Sequence, residues 1–156
     1  MGTLGVLAQN GNVNGELTGP GLTSPDAADA ARMLADLAGS GVTHLALEAS
    51  SHGIDQRRLD GVTLQAAAFT NLGHDHLDYH IDVDAYGAAK RRLFVHPGLK
   101  AVVLNIDDAL GAELALTRAP SDQVWTCTSR DAAARLRADG IVATATGMQF
   151  TLDIDG

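Results

Sequence analysis

The chain has 156 residues, enough for one domain with its own core, and 46% of them are hydrophobic. It carries 11 basic and 19 acidic residues, a net charge of −8, which excludes it as a general binder of nucleic acid; a nucleotide would need a local site. No stretch reaches the roughly 20 apolar residues of a membrane span, Met1 to Gln9 has no secretory character, and the lone Cys127 can form no internal disulfide, as suits a reducing, cytoplasmic location.

From the start of the chain, Met1 to Gly21 is rich in Gly and Asn and reads as a strand end followed by a loop. Ser24-Pro25-Asp26 predicts a helix start, with a hydroxyl cap, a proline in the first turn and an acid beside the positive end of the dipole. Ala27, Ala30, Ala31, Leu34, Leu37 and Ala38 follow at helical spacing, and Gly39 and Gly41 mark the stop. Val42 to Leu47 reads as a buried strand delivering Glu48, and Val62 to Leu72 as a second one closing on Thr70-Asn71. Asp82 predicts the cap of a helix running to about Phe94, and Pro97-Gly98 breaks the chain after it. Ala101 to Ile106 is a third strand, ending in Asp107 and Asp108 and followed by a helix; Gln123 to Thr128 is a fourth. Ile141 to Thr146 and Met148 to Ile154 read as an antiparallel hairpin joined at Gly147. Strands alternating with helices predict an α/β fold, a mostly parallel sheet flanked by helices, with that hairpin at the C-terminal end.

Ligands of such sheets bind beyond the carboxyl ends of the strands, and polar residues gather there. One strand runs into Glu48-Ala-Ser-Ser-His52, the next into Asn71-Leu-Gly-His-Asp-His-Leu-Asp-Tyr-His80. Acids, hydroxyls and imidazoles need partners when buried, so a polar turn at the sheet rim and a binding site are both open readings. Lys90 recurs with Val83, Tyr86 and Leu93 at spacings of three and four, on the apolar stripe of its helix. Either its stem packs while the amine reaches water, or the amine is held beside a charged site with a lowered pKa or a modification.

The strings Glu48-Ala-Ser-Ser-His-Gly-Ile-Asp-Gln56-Arg-Arg58, Phe69-Thr-Asn-Leu-Gly-His-Asp-His76-Leu-Asp-Tyr-His80 and Ala85-Tyr-Gly-Ala-Ala-Lys90-Arg-Arg-Leu-Phe94 closely resemble the central domain of MurE-type ligases. Asn105-Ile-Asp-Asp108 and Thr23-Ser24-Pro25-Asp26 resemble two further landmarks of that family, so the likeness runs from about Gly2 to Glu113. Leu22 stands where many relatives have asparagine and His74 where arginine is common. The resemblance implies a P-loop-type ATP-binding domain, with Glu48, His76 and a carbamylated Lys90 as catalytic residues and Mg²⁺ ligands. It implies Thr23, Ser24, Ser50, Gln56 and Arg58 as contacts for UDP-MurNAc-L-Ala-D-Glu. The implied reaction is ATP-dependent amide-bond formation in peptidoglycan synthesis, through an acyl phosphate, adding meso-diaminopimelate or L-lysine. His80 and Asn71 would lie nearby without an assigned role.

No Gly-x-x-x-x-Gly-Lys-[Ser/Thr] occurs in the chain. The expectation is therefore a truncated central domain over residues 1–156, with the phosphate loop, the N-terminal UDP-binding domain and the C-terminal domain absent, and inactive alone. Alternatives within the same superfamily are a cyanophycin synthetase, which shares part of these motifs, or a folylpolyglutamate synthase relative. A metal-dependent hydrolase is suggested by His74, His76, Asp78 and His80, but Tyr79 separates the Asp and His that such a signature keeps adjacent. A non-catalytic binding module is a further alternative.

Overall fold

The computed structural model describes residues 24–73, 79–117, 123–130 and 133–155. By contacts the chain divides into two units, Met1–Thr63 with Ala88–Leu93, and Leu64–Gly87 with Phe94–Gly156.

The first unit holds α1 (Ala27–Gly39) and α2 (Ser51–Asp55). Asp26, not Ser24, caps α1: its carboxylate accepts from the amides of Ala28 and Asp29 at 2.9 Å each, which holds the carboxyl below its ordinary range. The expected start is thus shifted by two residues, and Pro25 stands outside the helix. The shift leaves the Ser24 hydroxyl for other partners. At the other end Ser40 caps, and Gly41 takes the left-handed turn at φ +83. Ala30, Leu37, Ile54, Leu59 and Ala89 are buried apolar residues among the described residues of this unit.

Val42 to Leu47 corrects the sequence reading: residues 42–50 belong to no strand, and Thr43, His44, Ala46 and Glu48 are exposed. A strand is stabilised by a paired ladder, and apolar composition alone does not supply one. Glu48 consequently does not mark a strand's carboxyl end.

The second unit is built on one five-stranded sheet in the order β1 (Ala66–Phe69), β2 (Ala101–Asn105), β3 (Val124–Thr128), β4 (Leu136–Thr144), β5 (Gly147–Ile154). The first three pairings are parallel and β4–β5 is antiparallel, so the mostly parallel α/β fold with its closing hairpin is as expected. The strand expected over Val62 to Leu72 is shorter, only four residues. The hairpin strand expected from Ile141 begins at Leu136, because its first residues pair with Cys127 and Thr128 of β3. Between Asp139 and Val142 the hairpin register shifts where Gly140 takes φ +62, a bulge that bends β4.

Two helices lie between the parallel strands in sequence. Helix α3 (Val83–Phe94) starts as expected, Asp82 accepting from the amide of Ala85 at 2.7 Å, and α4 (Ala109–Thr117) packs on β2. Val102 and Leu104 on β2 are almost wholly buried, with Phe69, Phe94, Leu110 and Leu114 completing the core. Phe69 and Phe94 meet edge to face at 6.2 Å between centroids. Gly111 lets α4 come this close, since a β-carbon there would lie 1.9 Å from the carbonyl oxygen of Asn105 and 3.1 Å from Cδ1 of Phe69. His80 is buried and stacks on Tyr86 at 5.3 Å, which gives this histidine a packing role. On the strand side, the Arg135 guanidinium lies 3.6 Å over the Trp125 ring and is held by Asp155 at 2.6 and 3.1 Å.

Candidate functional site

Four of the residues expected to touch a substrate are tied together in the first unit. The Ser24 side chain is 1% exposed. Its hydroxyl donates to the Glu48 carbonyl at 3.1 Å and accepts from the Ser50 amide at 3.0 Å and the Ser50 hydroxyl at 3.1 Å. Ser50 is itself the cap of α2, accepting from the Gly53 amide at 3.0 Å. Gly53 permits this packing, for a β-carbon there would lie 2.7 Å from Cβ of Ser24.

Arg58 closes the group. Its Nη1 donates to the Ser24 carbonyl at 2.6 Å, and Nε and Nη2 both donate to Oε1 of Gln56, at 3.1 and 2.6 Å. These contacts use three of the five N–H groups of a guanidinium. Between Gln56 and Arg58 the backbone turns at Arg57, a non-glycine residue with φ +58, a conformation that costs an L residue about 1–2 kcal/mol.

Lys90 is half-buried on α3, and its Nζ donates to the Ala49 carbonyl at 3.2 Å. Burial pushes the amine below the ordinary lysine range, while the negative charge of Glu48 works in the opposite direction. The bond of this amine is to a backbone carbonyl, with the Glu48 carboxylate near enough to act on its charge. Arg92, two residues on, pairs with Asp55 at the end of α2 at 3.1 Å. Thr23 and His76 lie outside the described residues, as do His74 and Asp78. Among the described residues no three His, Cys, Asp or Glu side chains are grouped as a metal would need.

In the second unit the carboxyl ends of β1, β2 and β3 are laced by the Asn105-Ile-Asp-Asp108 string with Thr128 and Ser129. Asn105 donates from Nδ2 to the Thr70 carbonyl at 2.7 Å and accepts from the Asp107 amide at 3.0 Å. Asp108 accepts from the amides of Leu72 at 2.8 Å and Leu110 at 2.9 Å. Asp107 takes the hydroxyl of Thr128, and the amide and hydroxyl of Ser129 at 2.8 and 2.7 Å. These bonds, the Thr128 hydroxyl foremost, hold the Asp107 carboxyl below its usual range. Such a group stabilises the fold above the unfolded carboxylate pKa and loses that contribution as pH falls through its own lower value. Asp107→Asn is therefore expected to flatten the acid limb of the Tm profile below the ordinary carboxylate pKa of about 4. Calorimetry across that range checks it; parallel limbs for the two proteins would remove Asp107 from the clasp.

The model of the Mur ligase middle domain matches residues 1–156. The chain belongs to the Mur ligase family. Over 126 residues it is 56% identical to the UDP-N-acetylmuramoyl-L-alanyl-D-glutamate–2,6-diaminopimelate ligase of Caulobacter vibrioides, covering 79% of this chain and 26% of that protein. The ligase of the same name from Xanthomonas oryzae is 41% identical over 157 residues, covering 100% of this chain and 31% of the relative. A solved structure of a ligase of that name superposes with a TM-score of 0.78 at 35% identity, over 97% of this chain and 30% of that one. This Mur ligase domain thus spans between a quarter and a third of the length of the relatives it matches. No helix among the described residues is long and apolar enough to cross a membrane.

Proposed function

We propose that this domain belongs to a ligase that joins a diamino acid to UDP-MurNAc-L-Ala-D-Glu in peptidoglycan synthesis, using ATP and Mg²⁺ in the cytoplasm. The observation that carries the reading is the hydrogen-bonded group of Ser24, Ser50, Gln56 and Arg58, which holds a guanidinium in place. Both hydroxyl protons are spent inside this group, so the guanidinium is the donor that would meet a carboxylate- or phosphate-bearing substrate. Relatives named for the same acceptor and for 2,6-diaminopimelate make that diamino acid the substrate we favour over L-lysine.

Lys90 fits the second half of the reading. Its lowered pKa raises the fraction of neutral amine, which adds to CO₂, forms an N–C bond and releases a proton. The product is a carboxylate-like carbamate in place of an ammonium. With Glu48 and His76 it would give oxygen and imidazole donors for Mg²⁺, a donor set that an ammonium at the same place would oppose. Bound there, the metal would supply electrostatic stabilisation of phosphoryl oxygens. Arg58 would hold the acceptor, and Ser24 and Ser50 would fix its position.

The test is Arg58→Ala in the whole ligase. Loss of a charge-assisted contact is worth about 1.5–3 kcal/mol, so KM for the nucleotide-sugar dipeptide is expected to rise about ten- to a hundred-fold, with KM for ATP unchanged. An unchanged KM for the sugar substrate would take Arg58 out of the site.

A further inference from the structure

Gln56 and Arg58 are two residues apart at the end of α2, and their side chains are bonded twice, at 3.1 and 2.6 Å. On a continuing helix, residues i and i+2 do not face each other, so that pairing requires the helix to end between them. It ends through Arg57. The Arg57 amide donates to the Ile54 carbonyl at 3.1 Å and the Arg58 amide to the Gly53 carbonyl at 2.8 Å. That is the paired closure of a helix terminus, whose left-handed position is usually a glycine. Here it is filled by an arginine at φ +58. The Arg57 side chain is 74% exposed and only 3.8 Å from Asp60, a loose contact.

We propose that Arg57 is a positioning residue: its left-handed backbone, not its charge, folds Arg58 back onto Gln56 and the Ser24 carbonyl and so presents the guanidinium to the anionic substrate. The proposal rests on reading Arg58 as a substrate contact, as above. A β-branched residue resists positive φ, whereas glycine adopts it freely. The conformation at position 57, and not the guanidinium, therefore decides whether Arg58 is aimed.

The experiment compares Arg57→Ile with the conformation-keeping Arg57→Gly, in two assays. In the whole ligase, Arg57→Ile is expected to raise KM for the nucleotide-sugar dipeptide about tenfold with kcat within about twofold, and Arg57→Gly is expected to keep the parent KM. In the chain itself, ¹⁵N spectra of arginine side chains should show the Arg58 Nε–H protected in the parent and in Arg57→Gly, and exchanging fast in Arg57→Ile. If Arg57→Ile does not fold, Arg57→Ala, with a milder penalty at positive φ, should fall between the parent and a misaimed Arg58 in both assays. A KM rise in Arg57→Gly equal to that in Arg57→Ile would overturn the proposal in favour of the charge. A protected Arg58 Nε–H in Arg57→Ile would overturn it outright. Failure of the functional reading looks different: Arg58→Ala itself would leave KM unchanged while the ¹⁵N result still follows the backbone at position 57.

Discussion

Gly111→Ala is expected to lower the stability of the domain by at least about 3 kcal/mol, the upper part of the range for overpacking a core. The added β-carbon would lie 1.9 Å from the Asn105 carbonyl oxygen, which is backbone at the end of β2 and cannot rotate away. Relief requires α4 to lift from β2, opening the contacts of Leu110 and Leu114 with the core. The better helix propensity of alanine returns only about 1 kcal/mol. For a chain of this size the net loss corresponds to a fall in Tm of roughly 5–10 °C. Gly39→Ala is the control, since a β-carbon there meets nothing within 4 Å. A Tm for Gly111→Ala equal to that of the parent would show that α4 does not approach β2 as described.

Lys90→Ala is expected to reduce the activity of the whole ligase nearly to background. The lysine is half-buried, bonded to the Ala49 carbonyl and held by burial below the usual lysine range. If the working form is a carbamate, truncation removes a negative oxygen donor from beside Glu48, and acetate or formate added to the assay should restore part of the rate. Lys90→Arg should not respond to them, because a guanidinium keeps a positive charge in the same space. Initial rates with and without carboxylate decide the matter. Full activity in Lys90→Ala without any additive would leave Lys90 with a packing role only.

The sequence revealed what periodicity and punctuation encode. Asp82 announced α3, Pro97-Gly98 its end, and the apolar runs announced β2 and β3 within a residue or two. Helix α2 escaped because five residues containing a glycine carry no helical period; only Ser50 as a cap could have suggested it. The cap of α1 was misplaced because serine and aspartate are both good caps two residues apart, and the competition was settled by Ser24 bonding to Glu48 and Ser50, partners distant in sequence. Val42–Leu47 had the composition of a strand without the pairing of one. In the candidate site, Ser24, Ser50, Gln56 and Arg58 were named only through the family resemblance, and their mutual bonds and the left-handed turn at Arg57 could not be read from an Arg-Arg pair. The clasp of Asp107 on Thr128 and Ser129 joins residues some twenty apart, a spacing no local pattern reports.

The chain's one tryptophan, Trp125, and both of its tyrosines, Tyr79 and Tyr86, fall in the second unit. The first unit, which holds the Ser24–Arg58 group, has neither residue type. Intrinsic fluorescence, with its indole set under the Arg135 guanidinium, is therefore an optical probe of the second unit alone. Circular dichroism at helical wavelengths adds the signal of α1 from the first unit. Coincident melting curves from the two methods would mean that both units unfold in one cooperative step, and separated curves would mean that each melts on its own.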